Sequence, residues 1–388
     1  MRAMYLDANA TTRILPGVFD AMLPWLRDAY ANPSGTHTAA RQARAAIDLA
    51  REQVAALIGA SPGEIVFTSG GTESVNTAIH SLDRLAGPGA AVISSIEHSA
   101  VLRTAERLGR PLRCLPVDSG GVADLTEIDP VPDGVSWISV MTANNETGVI
   151  QPIEEIAGRV RASGIPVHTD AVQAVGKMPV NVRSMGVDML SLSAHKFHGP
   201  KGVGALFVRS GLRFEPLLTG GGQEDGRRSG TENTAAIVGM GAAAEYALEY
   251  LTSGGGAVLS SLRDLFESRV VSGLSGVTAN GDPARRLANT SHLSFDGCDA
   301  AGLLILLDEA DVACSAGSSC MSGRQKPSHV QLAMGIPEAR AKSSLRFSFS
   351  RLNTLEQAAS AADHVIRAVE KLRRVQGPGV GPVVVYSP

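Results

Sequence analysis

The pattern of hydrophobic and polar positions along the chain changes its period near residue 60. Residues 36–60 are rich in Ala, Leu, Arg and Glu, which favour a helix, and Gly59 suits the end of that helix. Beyond it, short apolar runs predict strands at 65–68, 91–94, 135–140, 166–169, 189–192 and 203–208. Segments typical of helices separate most of these runs, at 73–85, 99–108 and 153–162.

Apolar strands that alternate with helices are typical of βαβ units. The pattern therefore predicts an α/β fold with a mainly parallel sheet that helices cover on both faces. In sheets of this kind ligands bind outside the carboxyl ends of the strands. Polar residues that directly follow these strands are the first candidates for a functional site.

The second half of the chain predicts a smaller α/β unit. A Gly- and Arg-rich stretch at 219–233 precedes a predicted helix at 234–251, and the glycines of 252–257 indicate a domain boundary. Predicted helices near 258–272, 299–309 and 355–375 then alternate with strands near 290–295 and 343–349. We predict a large domain over residues 13–255 and a small domain over residues 256–388, with residues 1–12 packed on the small domain.

Composition narrows the class of protein. The chain has 388 residues, 44% of them hydrophobic, and a formal charge of −3, which argues against a nucleic-acid surface. Four cysteines are too few for a disulfide scaffold and fit a reducing compartment. The first residues contain no apolar signal-peptide core, and the longest apolar stretch, 300–307, is too short to span a bilayer. We expect a cytoplasmic protein without membrane contact.

Four polar residues or turns lie where predicted strands end. Lys196 follows strand 189–192, Asp170 follows strand 166–169, and His98 comes shortly after strand 91–94. After strand 65–68, the glycines of Ser-Gly-Gly-Thr precede a helix, whose first N–H groups can bind phosphate. Pyridoxal phosphate needs such parts: a lysine for a Schiff base, an acid for its pyridine nitrogen and an anion site for its phosphate.

Each of these residues also has an ordinary structural interpretation. A lysine in a turn is usually a surface charge, and an aspartate after a strand is commonly a helix N-cap. The glycine turn could be a plain βα connection, and a single histidine is more often structural than catalytic. The coincidence of four such signals at strand ends favours the cofactor site.

Ten stretches, in chain order, resemble one enzyme family. They read YLDANATT, NPSGTH, FTSGGTESVN, EHSAV, NNETGVIQP, HTDAVQAVGK, SAHKFHGPKGVGALFV, GGQEDGRRSGTEN, GSSCMSG and SLRFSFSR. Together they are similar to the cysteine desulfurases of the nitrogenase and iron–sulfur-cluster type, within the class V aminotransferase group. The resemblance covers residues 5–353 and implies the pyridoxal-phosphate fold-type I, with a seven-stranded type of large sheet.

The resemblance also implies roles for single residues. Matched to the family's cofactor-binding and catalytic positions, they are Lys196 for the Schiff base, Asp170 for the pyridine nitrogen, Asn145 and Gln173 for the phenolic oxygen, His98 for ring stacking and proton transfer, and Gly71, Thr72, Ser193 and His195 for the phosphate. Thr231 resembles a threonine that reaches the phosphate of the neighbouring subunit, which implies a homodimer with shared sites. Arg346 and Asn32, with Asn145, are the implied substrate-binding residues, since arginine can grip a carboxylate with two hydrogen bonds.

Cys320 is the candidate nucleophile. It lies in a stretch, 315–329, of small and polar residues without apolar period, which is typical of a loop, and Arg324 and Lys326 would favour its thiolate. The family's catalytic cysteine matches Cys320. Cys314 is the competing thiol, and its strand-like surroundings favour a buried, inert role. A zinc site formed by Cys298, Cys314 and Cys320 is disfavoured because the chain lacks a C-x-x-C pair, so we expect no metal.

The resemblance implies an enzyme that converts L-cysteine to L-alanine and leaves a persulfide on Cys320 for a sulfur-acceptor protein, such as an iron–sulfur scaffold. Selenocysteine lyase, transaminase and epimerase are rival activities with the same cofactor. A nicotinamide oxidoreductase is disfavoured because no G-x-G-x-x-G follows an early strand. A non-catalytic scaffold is disfavoured by the joint presence of Lys196, Asp170 and Cys320.

Overall fold

A computed structural model describes residues 4–316 and 327–376 of the chain. Within them lie thirteen strands: β1 Met4–Tyr5, β2 Ile65–Thr68, β3 Ala90–Ser94, β4 Leu112–Leu115, β5 Val135–Ser139, β6 Val167–Asp170, β7 Met189–Ser193, β8 Gly204–Val208, β9 Val277–Ala279, β10 Thr290–Phe295, β11 Val312–Ala313, β12 Ser315–Ala316 and β13 Ser344–Ser348. The strands predicted from the sequence agree with the observed ones to within one residue at most ends.

The same residues form twelve α-helices: α1 Pro16–Arg27, α2 Thr38–Ile58, α3 Gly71–Leu85, α4 Ser99–Arg107, α5 Ile153–Val160, α6 Val182–Met185, α7 Thr234–Thr252, α8 Gly255–Gly273, α9 Ala300–Asp308, α10 His329–Ala333, α11 Glu338–Ala341 and α12 Leu355–Gln376. Helix α2 ends at Gly59, which adopts a left-handed conformation with φ of 67°. Among the described residues, every helix is too short or too polar to cross a lipid bilayer.

Seven strands form one large sheet in the order β2-β8-β7-β6-β5-β3-β4. The strands pair in parallel except β8, which runs antiparallel to both β2 and β7. The chain enters β8 from β7 through a short connection, residues 194–203, which cannot hold the helix that a parallel crossover needs. The predicted α/β fold with a mainly parallel sheet is confirmed.

Helices cover both faces of this sheet because neighbouring strand residues point to opposite sides. In β2, Ile65 and Phe67 join a core with α2, α5 and α7, whereas Val66 joins a second core with α3 and α4. In β7, Leu190 belongs to the first core and Met189 to the second. A strand buried on both faces leaves its ends as the place where polar side chains can meet solvent or a ligand.

A four-stranded antiparallel sheet, β12-β13-β10-β9, packs with α8, α9 and α12 around a separate core. Phe266 and Phe347 meet in that core with ring centroids 4.7 Å apart. Strand β1 pairs in parallel with β11, and Leu6 is buried in the same core. The large core in turn includes Leu287. The division of the chain at residue 255 stays a prediction.

Candidate active site

Three chain segments bring polar side chains to one edge of the large sheet. Strand β6 ends at Asp170, β7 is followed by a single helical turn that carries Lys196, and the turn after β2 opens α3 at Gly71. Together they enclose a cavity of about 220 Å³. Nine residues with a role implied by the sequence line it: Gly71, Thr72, His98, Asn145, Asp170, Gln173, Ser193, His195 and Lys196.

Lys196 presents a largely buried amine to this cavity. Its Nζ donates to the backbone carbonyls of Asn9, at 2.6 Å, and Ala10, at 2.8 Å. Burial lowers the pKa of Lys196 to about 8, with the positive charge of Arg346 acting in the same direction and Asp170 opposing it. An amine with this pKa can take up or release a proton near neutral pH, which suits both covalent attachment and proton transfer.

Asp170 is a buried carboxyl in the wall of the same cavity. Its Oδ1 accepts a hydrogen bond from the backbone N–H of Val172 at 3.0 Å. Burial raises the pKa of Asp170, while His98 and Lys196 oppose that rise. A buried carboxyl that borders a cavity is stabilised by a cationic or N–H partner there, and the protonated nitrogen of a pyridine ring is such a partner.

The start of α3 forms the third wall. The first N–H groups of a helix have no acceptor within it, so they attract anions. At Gly71 a Cβ would lie only 2.8 Å from Cγ2 of Val172, so a side chain at this position would crowd the wall beside Asp170. Arg228 holds the turn from outside through its ion pair with Glu73 at 2.9 Å. The residues present therefore fit pyridoxal phosphate: an amine, an acid and an anion site face one cavity.

His98 has a structural contact as well as a place in the cavity wall. It is the N-cap of α4, and its Nδ1 accepts a hydrogen bond from the N–H of Ala100 at 3.1 Å. The residue is exposed on its other side. The cap fixes the position of the imidazole, so the structural and the chemical interpretation of this histidine are compatible.

Arg346 lies behind the cavity wall. It is 6% exposed, and its guanidinium donates to Asp7 at 2.5 Å and to the backbone carbonyl of Asn145 at 3.0 Å. Its Nε has no hydrogen-bond partner among the described residues. The contact to Asn145 connects this arginine, on the four-stranded sheet, to the cavity of the large sheet.

Asn32 and Thr231 do not line the cavity of this single chain. Both are exposed, and the side chain of Asn32 accepts a hydrogen bond from the N–H of Ser34 at 2.9 Å. The family resemblance predicted that Asn32 lies beside Arg346 and that Thr231 reaches the site of a neighbouring subunit. Neither role is tested by the contacts within one chain.

The comparisons with known proteins agree with this geometry. The family model described as aminotransferase class-V matches residues 4–360. The chain belongs to the class-V aminotransferase family. Enzymes of this family use pyridoxal phosphate.

Relatives at 44% identity are named cysteine desulfurases. The chain is 44% identical to a cysteine desulfurase of Nostoc sp. over 96% of this chain and 94% of the relative. It is also 44% identical to the cysteine desulfurase NifS of Azotobacter vinelandii, over 99% and 97%. A solved NifS-like protein superposes with a TM-score of 0.89 at 36% identity, covering 96% of this chain and all of that one.

Asn9 contacts the site of this class-V family member and was missed in the sequence analysis. Its backbone carbonyl accepts from both Lys196 and Gln173, at 2.6 and 3.0 Å. Its side-chain amide donates to Thr290 at 2.9 Å and accepts from Lys177 at 2.9 Å. The stretch YLDANATT, quoted for the family resemblance, contained the signal, but no pattern in it indicates which residue meets the lysine.

Two buried acids near the cavity were also missed. Glu97, beside His98, accepts from Ser94 at 2.5 Å and from the N–H of Met141 at 2.7 Å, and its Oε2 has no described partner. Burial raises the pKa of Glu97 to about 8. Glu146, beside Asn145, accepts from the hydroxyl of Ser328 at 2.6 Å, and burial raises its pKa to about 7.

Cys320, Arg324 and Lys326 lie outside the described residues. Cys314 is partly buried, and desolvation raises the pKa of its thiol to about 12, which agrees with an inert role. Among residues 4–316 and 327–376, no three His, Cys, Asp or Glu side chains form a group that could hold a metal ion.

Proposed function

We propose that this member of the class-V aminotransferase family is a cysteine desulfurase that binds pyridoxal phosphate through Lys196 and collects the sulfur of L-cysteine on Cys320. The observation that carries the proposal is the single cavity shared by Lys196, Asp170 and the start of α3. The 44% identity to cysteine desulfurases over nearly the whole chain supports the reaction, and it does not favour selenocysteine lyase.

The cofactor, when bound, stores the electron pair released at Cα of the amino acid. Asp170 would pair with the ring nitrogen, while the N–H groups of Gly71 and Thr72, with Ser193 and His195, would hold the phosphate. Lys196 moves the Cα proton, a task for which its lowered pKa is suited. His98, held by the α4 cap in the cavity wall, would stack on the ring.

The substrate carboxylate binds to Arg346, with Asn32 and Asn145 beside it. Burial of Arg346 favours this role, because a desolvated guanidinium attracts a carboxylate more strongly than an exposed one. Asp7 already neutralises part of its charge at 2.5 Å, so the pair holds the guanidinium in place before the substrate arrives. The donor atom Nε is left for a further acceptor.

The thiolate of Cys320 attacks the sulfur of the substrate. A sulfur–sulfur bond forms while the carbon–sulfur bond of the substrate breaks, so that L-cysteine becomes L-alanine and the thiol becomes a persulfide. Two hydroxyls flank the stretch that carries Cys320: Ser315 donates to Asp7 at 2.9 Å and Ser328 to Glu146 at 2.6 Å. Asp7 also pairs with Arg346, and Glu146 follows Asn145 in the chain, so both hydroxyls contact acids beside residues of the proposed site.

Two copies of the chain share each site in this proposal. Thr231 is exposed and lies away from the cavity of its own chain, which is compatible with a contact to the cofactor phosphate of a second copy. The persulfide then passes to a sulfur-acceptor protein. A cytoplasmic location stays a prediction from the sequence.

The test replaces the two competing thiols separately. We expect Cys320→Ser to bind the cofactor and show its visible absorbance, but to form no protein persulfide and release no alanine beyond one-thousandth of the parent rate, because serine is a poor nucleophile toward sulfur. Cys314→Ser is the matched control and should keep the parent rate. Persulfide formation by Cys320→Ser at the parent rate would overturn the assignment.

A further inference from the structure

Lys177 is a second buried lysine close to the cavity, and the proposed function gives it no task. It is 6% exposed and lies four residues after Gln173 in the turn that follows β6. Its Nζ donates to Oε1 of Gln173 at 2.5 Å and to Oδ1 of Asn9 at 2.9 Å. Burying an amine is costly, so the two hydrogen bonds need a reason beyond packing.

Both partners of Lys177 are side-chain amides, which have an acceptor end and a donor end. An ammonium group can only donate, so it requires the oxygen of each amide to face it. Burial lowers the pKa of Lys177 well below its usual range, but a neutral amine still donates its two N–H groups to two such oxygens. With its two donors on the two amide oxygens, Lys177 therefore favours one of the two orientations of each amide, and at Asn9 the side chain of Asn289 donates to the same oxygen at 3.1 Å.

The selected orientation turns both NH₂ groups away from Lys177. In Asn9 the amide nitrogen donates to the hydroxyl of Thr290 at 2.9 Å and to the carbonyl of Asn145 at 3.3 Å. In Gln173 the amide nitrogen donates to the carbonyl of Asn9 at 3.0 Å. That carbonyl also accepts from Lys196, so the orientation of two amides is linked to the position of the cavity amine.

Gln173 lines the cavity, and its NH₂ has two hydrogens. Only the bond to Asn9 uses one of them among the described residues, so the second is free for an acceptor in the cavity. A flipped amide would instead place Oε1 against the carbonyl of Asn9 and present no donor to the cavity. An oxygen anion in the cavity distinguishes these two orientations.

We propose that Lys177 is a positioning residue that fixes the amide of Gln173 so that its N–H faces an anionic oxygen of the bound cofactor. The inference rests on the proposed function, in which Gln173 meets the phenolic oxygen of pyridoxal phosphate. Lys177 contacts neither cofactor nor substrate, and it acts through Gln173.

The experiment compares Lys177→Met, Gln173→Met and the double variant in the full chain. Methionine matches the length of glutamine, is one atom shorter than lysine, and cannot donate a hydrogen bond. We expect Lys177→Met to weaken cofactor binding about 5- to 10-fold, the effect of one lost hydrogen bond. It should also raise the pH midpoint of the cofactor's visible absorbance, because a lost N–H donor makes the phenolic oxygen hold its proton more strongly. In the Gln173→Met background, Lys177→Met should change the dissociation constant of the cofactor less than about 2-fold and leave the pH midpoint unchanged.

A second variant keeps the inference testable if Lys177→Met does not fold. Gln173→Glu retains an acceptor for Lys177 but has no N–H, and we expect it to weaken cofactor binding as Lys177→Met does. Parent-like affinity and pH midpoint in Lys177→Met or in Gln173→Glu would overturn the inference, as would equal effects of Lys177→Met with and without Gln173. A parent protein that shows no visible absorbance with pyridoxal phosphate would instead overturn the proposed function.

Discussion

The cavity at the edge of the large sheet and the surroundings of Arg346 on the smaller sheet are built in different ways. Around the cavity, Asp170 ends its strand, and Lys196 and Gly71 lie within three residues of the end of theirs. Around Arg346, the partners are remote in sequence: Asp7 is 339 positions away and Asn145 is 201. The first region depends on the topology of a parallel sheet, and the second on a few long-range hydrogen bonds.

This difference separates two tasks within one site. The sheet edge supplies groups for a rigid cofactor, and their positions follow from the strands that carry them. In the proposed function the Arg346 region supplies charge for the substrate, and Asp7, which also accepts from Ser315, holds the guanidinium. We therefore expect substitutions in the second region to change substrate binding and leave the cofactor in place.

Arg346→Lys is expected to separate substrate binding from cofactor binding most clearly. Lysine keeps the charge but cannot hold Asp7, Asn145 and a carboxylate with a planar fork. We expect KM for L-cysteine to rise about 100-fold, as the loss of a charge-assisted hydrogen bond allows, with cofactor affinity within 2-fold of the parent. Steady-state kinetics and a cofactor titration measure the two quantities.

Arg373→Lys is the control, because that arginine bonds the backbone of Ser275 and Asp296. Its kinetics should match the parent. If Arg346→Lys released the cofactor as readily as it lost substrate affinity, the two regions would not be separable and the comparison would fail.

A separate effect, on stability alone, is expected from Glu97→Gln, next to the cavity residue His98. The pKa of Glu97 is raised by burial to about 8, above its usual 4.5. The contribution of its protonated carboxyl to stability is present below pH 4.5 and is lost as the pH rises toward 8, because the unfolded chain releases the proton first. Glutamine cannot ionise, so the variant should gain about 4 kcal/mol in free energy of unfolding at pH 8 and little at pH 4.5.

Urea unfolding at the two pH values measures this gain. Glu106→Gln is the matched control, since Glu106 is an exposed acid on α4 that pairs with Arg103. It should show no gain at either pH. A loss of stability for Glu97→Gln at pH 8 would mean that the buried carboxyl is ionised and held by a partner.

Much of this fold follows from patterns in the sequence. The strands of the large sheet are short apolar runs buried on both faces, and β2, β7 and β10 begin where the pattern places them. The cavity residues were predictable because each lies near a strand end or in a motif with a physical task. The antiparallel β8 was not evident, although Gly199 and Pro200 mark the short turn before it.

Other features leave no periodic signal. Helix α1 contains Pro24 in its interior, which weakens a helical pattern. Asn9 and Lys177 act through hydrogen bonds across 164 to 281 positions of sequence. These side-chain hydrogen bonds join distant parts of the chain, so no periodic pattern in the sequence reveals them. Such residues are recognised only once the fold is known.

Covalent mapping of the cofactor tests the central claim most directly. Borohydride treatment of the protein loaded with pyridoxal phosphate should fix the cofactor to its lysine, and peptide mass spectrometry then identifies that residue. Lys196 and Lys177 both donate hydrogen bonds to Asn9, so the experiment must distinguish two lysines that share one partner. We predict an adduct on Lys196 alone, whereas an adduct on Lys177 or on another lysine would contradict the proposed function.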